Sequence, residues 1–422
     1  MERLPGFRDF FPEPLLAKDA SSFELRDYIF SRWRETAKVY GFREYDGPPL
    51  ETLELYTTKS GAEIVGQLYN FVDKGDRAVA MRPEMTPTLA RMVASAERSY
   101  KKPIKWFAIP QLFRYERQQK GRLREHFQLN ADIVGEADPA ADAELIALLI
   151  DTLRAFGLTE DDFVIRLSSR NAWQDFFAAR CPDPTKAYDF YQVVDKIERE
   201  KPEITEEKLK ALGIAASDVT DFIKGGQPTQ ELETVLNQLR GRDGLDRFVQ
   251  IDYSIIRGLA YYTGVVFEAF AKGATMRAIA GGGRYNNLVK VISGGKVDLP
   301  ALGFGMGDVV LADLLEEKKL TPGLRASIDA FVIIEDESLR PDSLLVVQRL
   351  RQAKISTEFF LTAGKSDKQF KRAIELSAAV TVRCLAKDGN THCQVRDLRS
   401  RKDEEVSLSE VAGAVTRIVR AG

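Results

Sequence analysis

Residues Arg257-Gly-Leu-Ala-Tyr-Tyr-Thr-Gly264 run straight into the apolar stretch Val265-Val266-Phe267. A permanent cation, two phenols and two glycines thus share one segment with a stretch that reads as buried strand. An unpaired buried guanidinium is very costly, so Arg257 needs an anion to meet. The glycines let the backbone turn or approach a ligand closely. The fold must bring this segment to a site where negative charge is present.

The 422 residues allow two to four domains and at least one large core. A net charge of -2 and a pI near 6.0 exclude a uniformly basic nucleic-acid binder but leave room for a local basic face. Three cysteines, Cys181, Cys384 and Cys393, are too few for a disulfide framework and point to a reducing compartment. Cys384 and Cys393 lack zinc-site spacing. No window is apolar enough for a membrane span, and the N-terminal residues have no secretory h-region, so a cytoplasmic location is expected. The two histidines, His126 and His392, stand near no nucleophile motif. Any enzyme chemistry therefore falls to arginines, carboxylates, phenols and bound ions.

A second constellation is Phe113-Arg-Tyr-Glu-Arg117 followed by Gly121-Arg-Leu-Arg-Glu-His126-Phe-Gln-Leu-Asn-Ala-Asp132. It predicts a hairpin whose loop presents Arg117, Lys120, Arg122 and Arg124. Arginines there suit a polyphosphate, because a guanidinium gives bidentate hydrogen bonds to phosphate oxygens. A solvated charged hairpin tip is the plainer alternative. On the return strand Gln128 and Asp132 are four residues apart and share a face. Two further segments, Arg82-Pro-Glu-Met-Thr86 and Ala280-Gly-Gly-Gly-Arg-Tyr-Asn286, read as a ligand-facing turn and a strand open to close backbone approach.

These segments resemble the motifs of histidyl-tRNA synthetases, which are class II aminoacyl-tRNA synthetases. Residues 257–264 resemble the family's RGLDYYTG, with Ala260 in place of Asp. The hairpin resembles motif 2, opening on Arg114 and Glu116, and the turn resembles RPEGT with Met85 in place of Gly. The glycine-rich strand resembles AGGRYD. The resemblance implies an α+β catalytic domain with an antiparallel sheet flanked by helices. A helical insertion and a C-terminal α/β anticodon-binding domain complete the expected fold. The expected boundaries are 1–172 and 246–320 for the catalytic domain, 173–245 for the insertion and 327–422 for the anticodon-binding domain. A long helix over Pro14–Tyr40 leading into a proline-bearing strand resembles motif 1 and implies a homodimer.

The resemblance also assigns residues. Histidine would be held by Glu84 and Thr86 at its α-ammonium, with Met85 between them, by Arg114 at its carboxylate, and by Gln128 and Arg257. Asp132 would accept a hydrogen bond from the substrate imidazole, and Tyr261, Tyr262 and Tyr285 would close the site. ATP would meet Arg114 and Arg257 at its α-phosphate, Glu116, Arg122 at the β- and γ-phosphates, and His126 where relatives stack a Phe on adenine. Mg²⁺ would bind mainly through the ATP phosphates. In motif 3, Gly303-Phe-Gly-Met-Gly307 keeps the glycines, but Val310 occupies the place of an Arg that covers ATP; Arg277 is the candidate replacement. Asp308 is expected to cap the helix that follows. The implied activity joins L-histidine to tRNA-His at the expense of ATP. A catalytically silent paralogue, serving as a regulatory subunit in histidine biosynthesis, is the alternative that Val310 raises.

Overall fold

The computed structural model describes residues 2–13, 15, 20–60, 62–115, 123–197, 200–256, 262–273, 278–323 and 327–420. The chain divides into two compact units. One runs to Asp9 and from Leu25 to Thr321; the other takes Phe10–Glu24 and the chain from Pro322 onward.

The first unit is organised by a nine-stranded sheet. Its strands are β1 (Arg43–Glu44), β2 (Ile104–Ala108), β3 (Gln111–Phe113), β4 (Glu125–Val134), β5 (Phe163–Ser169), β6 (Val249–Ile251), β7 (Val265–Ala271), β8 (Ala278–Arg284) and β9 (Ala301–Gly307). They lie in the order β6-β5-β7-β8-β9-β4-β2-β1, with β3 paired to β4 off this path. Pairing is antiparallel except for β5 with β6 and β1 with β2. The segment Trp106–Arg114, which reads as one strand, is two, because Ile109-Pro110 interrupts it. Proline has no N–H for the ladder, and the Pro110 carbonyl instead accepts from Gln128 N at 3.3 Å.

The two faces of the central strands differ in kind. One carries Leu129, Ala131 and Ile133 from β4 and Leu302, Phe304 and Met306 from β9, all buried in the main core. The helix Ala140–Arg154, apolar nearly all round its waist, belongs to that core. The other face of β9 carries Gly303, Gly305 and Gly307, opposite Asp132, Asn130 and Gln128 of β4. Bare strand on this face opens a cavity. The helices between Arg170 and Arg240, read from the sequence as an insertion, share the main core through Trp173, Phe190, Leu232 and Leu239.

The helix expected from Pro14 begins at Phe23 and ends at Val39. Ser21–Ser22 instead pair in parallel with Phe10–Phe11, which commits that backbone to a two-stranded ladder.

The second unit holds five strands: β10 (Ala330–Ile333), β11 (Thr357–Phe359), β12 (Val380–Lys387), β13 (Asn390–Asp397) and β14 (Asp403–Ser407), in the order β11-β10-β12-β13-β14. β10 is parallel to both β11 and β12, as the alternation of strands and helices predicts. Cys384 and Cys393 are buried free thiols facing each other across β12 and β13.

Candidate active site

The cavity on the glycine face of β9 encloses about 520 Å³, partly open to solvent, and brings together Glu84, Thr86, Arg114, Gln128, Asn130, Asp132, Tyr262 and Tyr285 over Gly281, Gly303 and Gly305. These residues come from five separated stretches of sequence.

Asp132 sits at the centre. Its side chain is buried, and the Tyr285 hydroxyl donates to Oδ1 at 2.5 Å. Burial raises the Asp132 carboxyl to about 7, while the Tyr285 hydrogen bond and the Lys59 charge pull it back. Gly303 faces Asp132 across the ladder, and a Cβ there would lie 1.9 Å from Asp132 Oδ1. At Gly305 a Cβ would lie 2.6 Å from the Gln128 amide. These two glycines are the space in which the acid and the amide stand. Tyr285 continues β8 by donating from its backbone N to Ala301 O at 2.7 Å. Tyr262 is set by its neighbour, since Thr263 N donates to Arg284 O at 2.9 Å.

The turn carrying Glu84 is built by Arg82. This buried guanidinium donates to Asp46 Oδ1 at 2.9 Å, to Gly47 O at 2.7 Å and to Gln111 O at 3.0 Å. It holds the turn and takes no place in the cavity. The helix Thr86–Ser95 then starts with Pro87 in its first turn. Glu84 and Thr86 line the cavity, whereas Met85 does not: its side chain is fully buried, with its sulfur 3.9 Å from Arg82 Nη1. The alternation of the turn points Met85 into the protein, which corrects its placement among the histidine contacts.

Arg114 ends the outgoing arm of the hairpin. Its backbone N donates to Arg124 O at 2.9 Å, and its Nε to Pro83 O at 3.0 Å. The guanidinium is thereby tied to the Glu84 turn. His126 lies on β4 opposite Leu112, outside the cavity lining. Burial, with Arg114 and Arg8 nearby, depresses its imidazole to about 3, so it is neutral at pH 7. Arg257, Tyr261, Glu116, Arg122 and Arg277 lie outside the described residues.

Asp308 is not a cap. The N-cap of the helix Asp308–Glu317 is Gly307, and Asp308 begins the helix itself. Its buried carboxylate accepts from Phe127 N at 2.9 Å and pairs with Arg8 Nη1 at 2.9 Å. Arg8 also meets buried Glu125 at 2.7 Å. One guanidinium near the N-terminus thus clamps the start of β4 to the helix after β9. Val310 packs half-buried against the main core. Arg284 faces away from the cavity too, locked onto buried Asp142 and the carbonyls of Glu136 and Asp138.

Two cavity features escape a reading by motif. Asn130 lies between Gln128 and Asp132 with period two, so strand alternation alone would find it. Lys59, whose side chain is 1% exposed, pairs with Glu84 from the end of the helix Leu53–Ser60. No local pattern around Lys59 marks it as an interior cation.

A largely antiparallel sheet with a hairpin arginine at its open face, and a separate anticodon-binding unit, defines a class II aminoacyl-tRNA synthetase. Residues 18–307 match the family model for histidyl-tRNA synthetase, and residues 329–418 match that of the anticodon binding domain. The chain belongs to the histidyl-tRNA synthetase family. It is 42% identical to a histidine–tRNA ligase of Opitutus terrae, over 98% of each chain. Identity is 37% to the chloroplastic/mitochondrial histidine–tRNA ligase of Arabidopsis thaliana, over 96% of this chain and 85% of the other. The fold matches the crystal structure of a histidyl-tRNA synthetase from Nostoc with a TM-score of 0.76 at 24% identity, covering 96% of this chain and 97% of that one. These full-length relatives do not favour the regulatory-paralogue alternative. Among the described residues, no helix is long and apolar enough to cross a membrane.

Proposed function

We propose that the chain acts as a histidine–tRNA ligase, activating L-histidine with ATP and passing it to the 3' end of tRNA-His. The observation that carries this reading is Asp132, a buried carboxyl held by Tyr285 in a cavity also lined by Glu84, Thr86, Gln128 and Arg114. A carboxylate facing an imidazole N–H gives strong discrimination, because a substrate without that donor leaves a buried acceptor unpaired.

Glu84 and Thr86 would receive the α-ammonium of histidine, and Gln128 would contact the bound amino acid. Tyr261, Tyr262 and Tyr285 would close around it. The histidine carboxylate attacks the ATP α-phosphorus, and pyrophosphate leaves. That carboxylate is ionised at pH 7, so the step needs alignment and charge neutralisation rather than a general base. Arg114 and Arg257 would flank the α-phosphate. Glu116, Arg122 and His126 would hold the rest of the nucleotide, with Arg277 covering it in place of the Arg replaced by Val310. Arg277→Ala should then raise the KM for ATP. Among the described residues, no group of three or more His, Cys, Asp or Glu side chains is placed to hold a metal ion. ATP would enter as its Mg²⁺ complex. The terminal ribose hydroxyl of the tRNA then attacks the histidyl-adenylate, releasing AMP.

The second unit supplies the RNA face in this reading. Lys365, Lys368, Lys371 and Arg372 are exposed at and along the helix Ser366–Glu375. Phe370 lies beside Lys371, Arg383 and Arg396 in one depression, a surface suited to base stacking and phosphate contact. Residues 173–245 would be the insertion, and the helix Phe23–Val39 part of a homodimer interface in the cytoplasm. Histidine-dependent ATP–pyrophosphate exchange followed by charging of tRNA-His tests the assignment; a silent paralogue shows neither.

A further inference from the structure

Two carboxylates, Glu84 and Asp132, stand in one small cavity. A buried cation beside such a cavity bears on how its carboxylates are presented to a ligand. Lys59 is that cation. It projects from the end of the helix Leu53–Ser60, its side chain is 1% exposed, and its ammonium pairs with Glu84 Oε2. A buried ammonium is expensive, so a chain retains one only where its charge is matched. Among the described residues, the charged groups around it include Glu84, Arg114 and Asp132. Around Asp132 stand Tyr285 at the end of β8, Lys59, and Tyr45 just after β1, a buried phenol raised well above its ordinary value by burial and by Asp132 itself. Among the described residues, Lys59 is the cation that acts on Asp132.

The pairing also divides Glu84 by oxygen. Lys59 takes Oε2, while Oε1 has no hydrogen-bond partner among the described residues, and the Glu84 side chain keeps 21% exposure. One oxygen is fixed by Lys59, and the residue lines the cavity.

We propose that Lys59 is a positioning residue for amino-acid recognition: its buried ammonium fixes Glu84 by one oxygen and supplies the positive field in which Asp132 accepts from the substrate side chain. This rests on the reading of the cavity as the histidine site. It adds that recognition depends on a cation that the substrate does not need to touch.

The test compares Lys59→Met and Lys59→Arg with the parent enzyme in pyrophosphate exchange, following the KM for histidine from pH 6 to pH 9 at saturating ATP. Removing the positive field raises the Asp132 carboxyl further, so its proton is lost only at higher pH. Lys59→Met should therefore raise the KM for histidine roughly tenfold or more at pH 7. Much of that loss should return by pH 9, with the KM for ATP little changed. Lys59→Arg should keep the parental acid limb. An acid limb in Lys59→Met that superimposes on the parent's would overturn the proposal, as would equal losses toward ATP and histidine. A second readout needs no activity. The melting-temperature difference between Asp132→Asn and the parent should level off near pH 7 when Lys59 is present, and at higher pH in the Lys59→Met background. Identical plateaus in the two backgrounds would refute the role of Lys59 whatever the exchange assay gives. A parent protein with no histidine-dependent exchange would instead refute the functional reading, leaving the melting series to decide on Lys59.

Discussion

Gly303 pairs directly with Asp132 across β9 and β4, and a methyl at Gly303 would overlap the Asp132 carboxylate, its Cβ only 1.9 Å from Oδ1. The acid can stand in the cavity only because its cross-strand neighbour has no side chain. Gly303→Ala must swing Asp132 away from Tyr285. Displacement of about an ångström at a recognition site can cost on the order of 100-fold, so kcat/KM for histidine should fall by about that factor. Gly307→Ala is the control, because a Cβ there meets nothing within 4 Å. Steady-state exchange on the two variants checks the difference; equal effects would contradict it.

Tyr285 donates to Asp132 and so favours the charged form. Tyr285→Phe removes a hydrogen bond to a charged group, worth about 1.5–3 kcal/mol. The KM for histidine should rise roughly 10- to 100-fold at pH 7. Part of that should be recovered at pH 9, when Asp132 ionises without help. A pH-independent loss would mean that Tyr285 acts by packing alone.

Asp132 should also weaken the unliganded protein. Its carboxyl is raised from an ordinary 3.8 to about 7 in the fold. Between those values the folded state holds a proton that the unfolded chain has released. Stability from this group is therefore full below pH 4 and lost as pH rises through 7. Asp132→Asn should melt near the parent at pH 4 and above it at pH 8, while failing to support exchange. Calorimetry at the two pH values checks this, and a lower melting temperature at pH 8 would contradict it.

The fold was legible where local pattern and tertiary packing agree. The alternation of strands and helices after Ala330 and the hairpin closing on Arg114 and Arg124 follow from periodicity. A hairpin with both residues of its Asp388-Gly389 turn at positive φ joins β12 to β13, and that dipeptide is a readable signal that the alternation of strands and helices overshadowed. The cavity was legible where motifs are contiguous, as at Glu84, Thr86, Gln128 and Asp132. Lys59 and Arg8 were not, because each draws its meaning from carboxylates far away in sequence. Asp308 shows the opposite trap: a residue with the chemistry of a cap, one position too late, is committed to Arg8 and Phe127 instead.

Arg8 joins Glu125 and Asp308, both buried. Removing one partner from a buried ionic network leaves uncompensated charge and costs about 3–5 kcal/mol. Arg8→Met should lower the free energy of unfolding, read from urea titration, by that measure, and adding Asp308→Asn should restore part of it. An Arg8→Met variant of parental stability would show that the clamp on β4 is not needed.

Exchange of labelled pyrophosphate into ATP, run with each amino acid in turn, bears on the central claim most directly. The cavity predicts incorporation with L-histidine alone, abolished by Arg114→Ala and by Asp132→Ala. Exchange with another amino acid in place of histidine, or undiminished exchange in the Asp132→Ala variant, would contradict it.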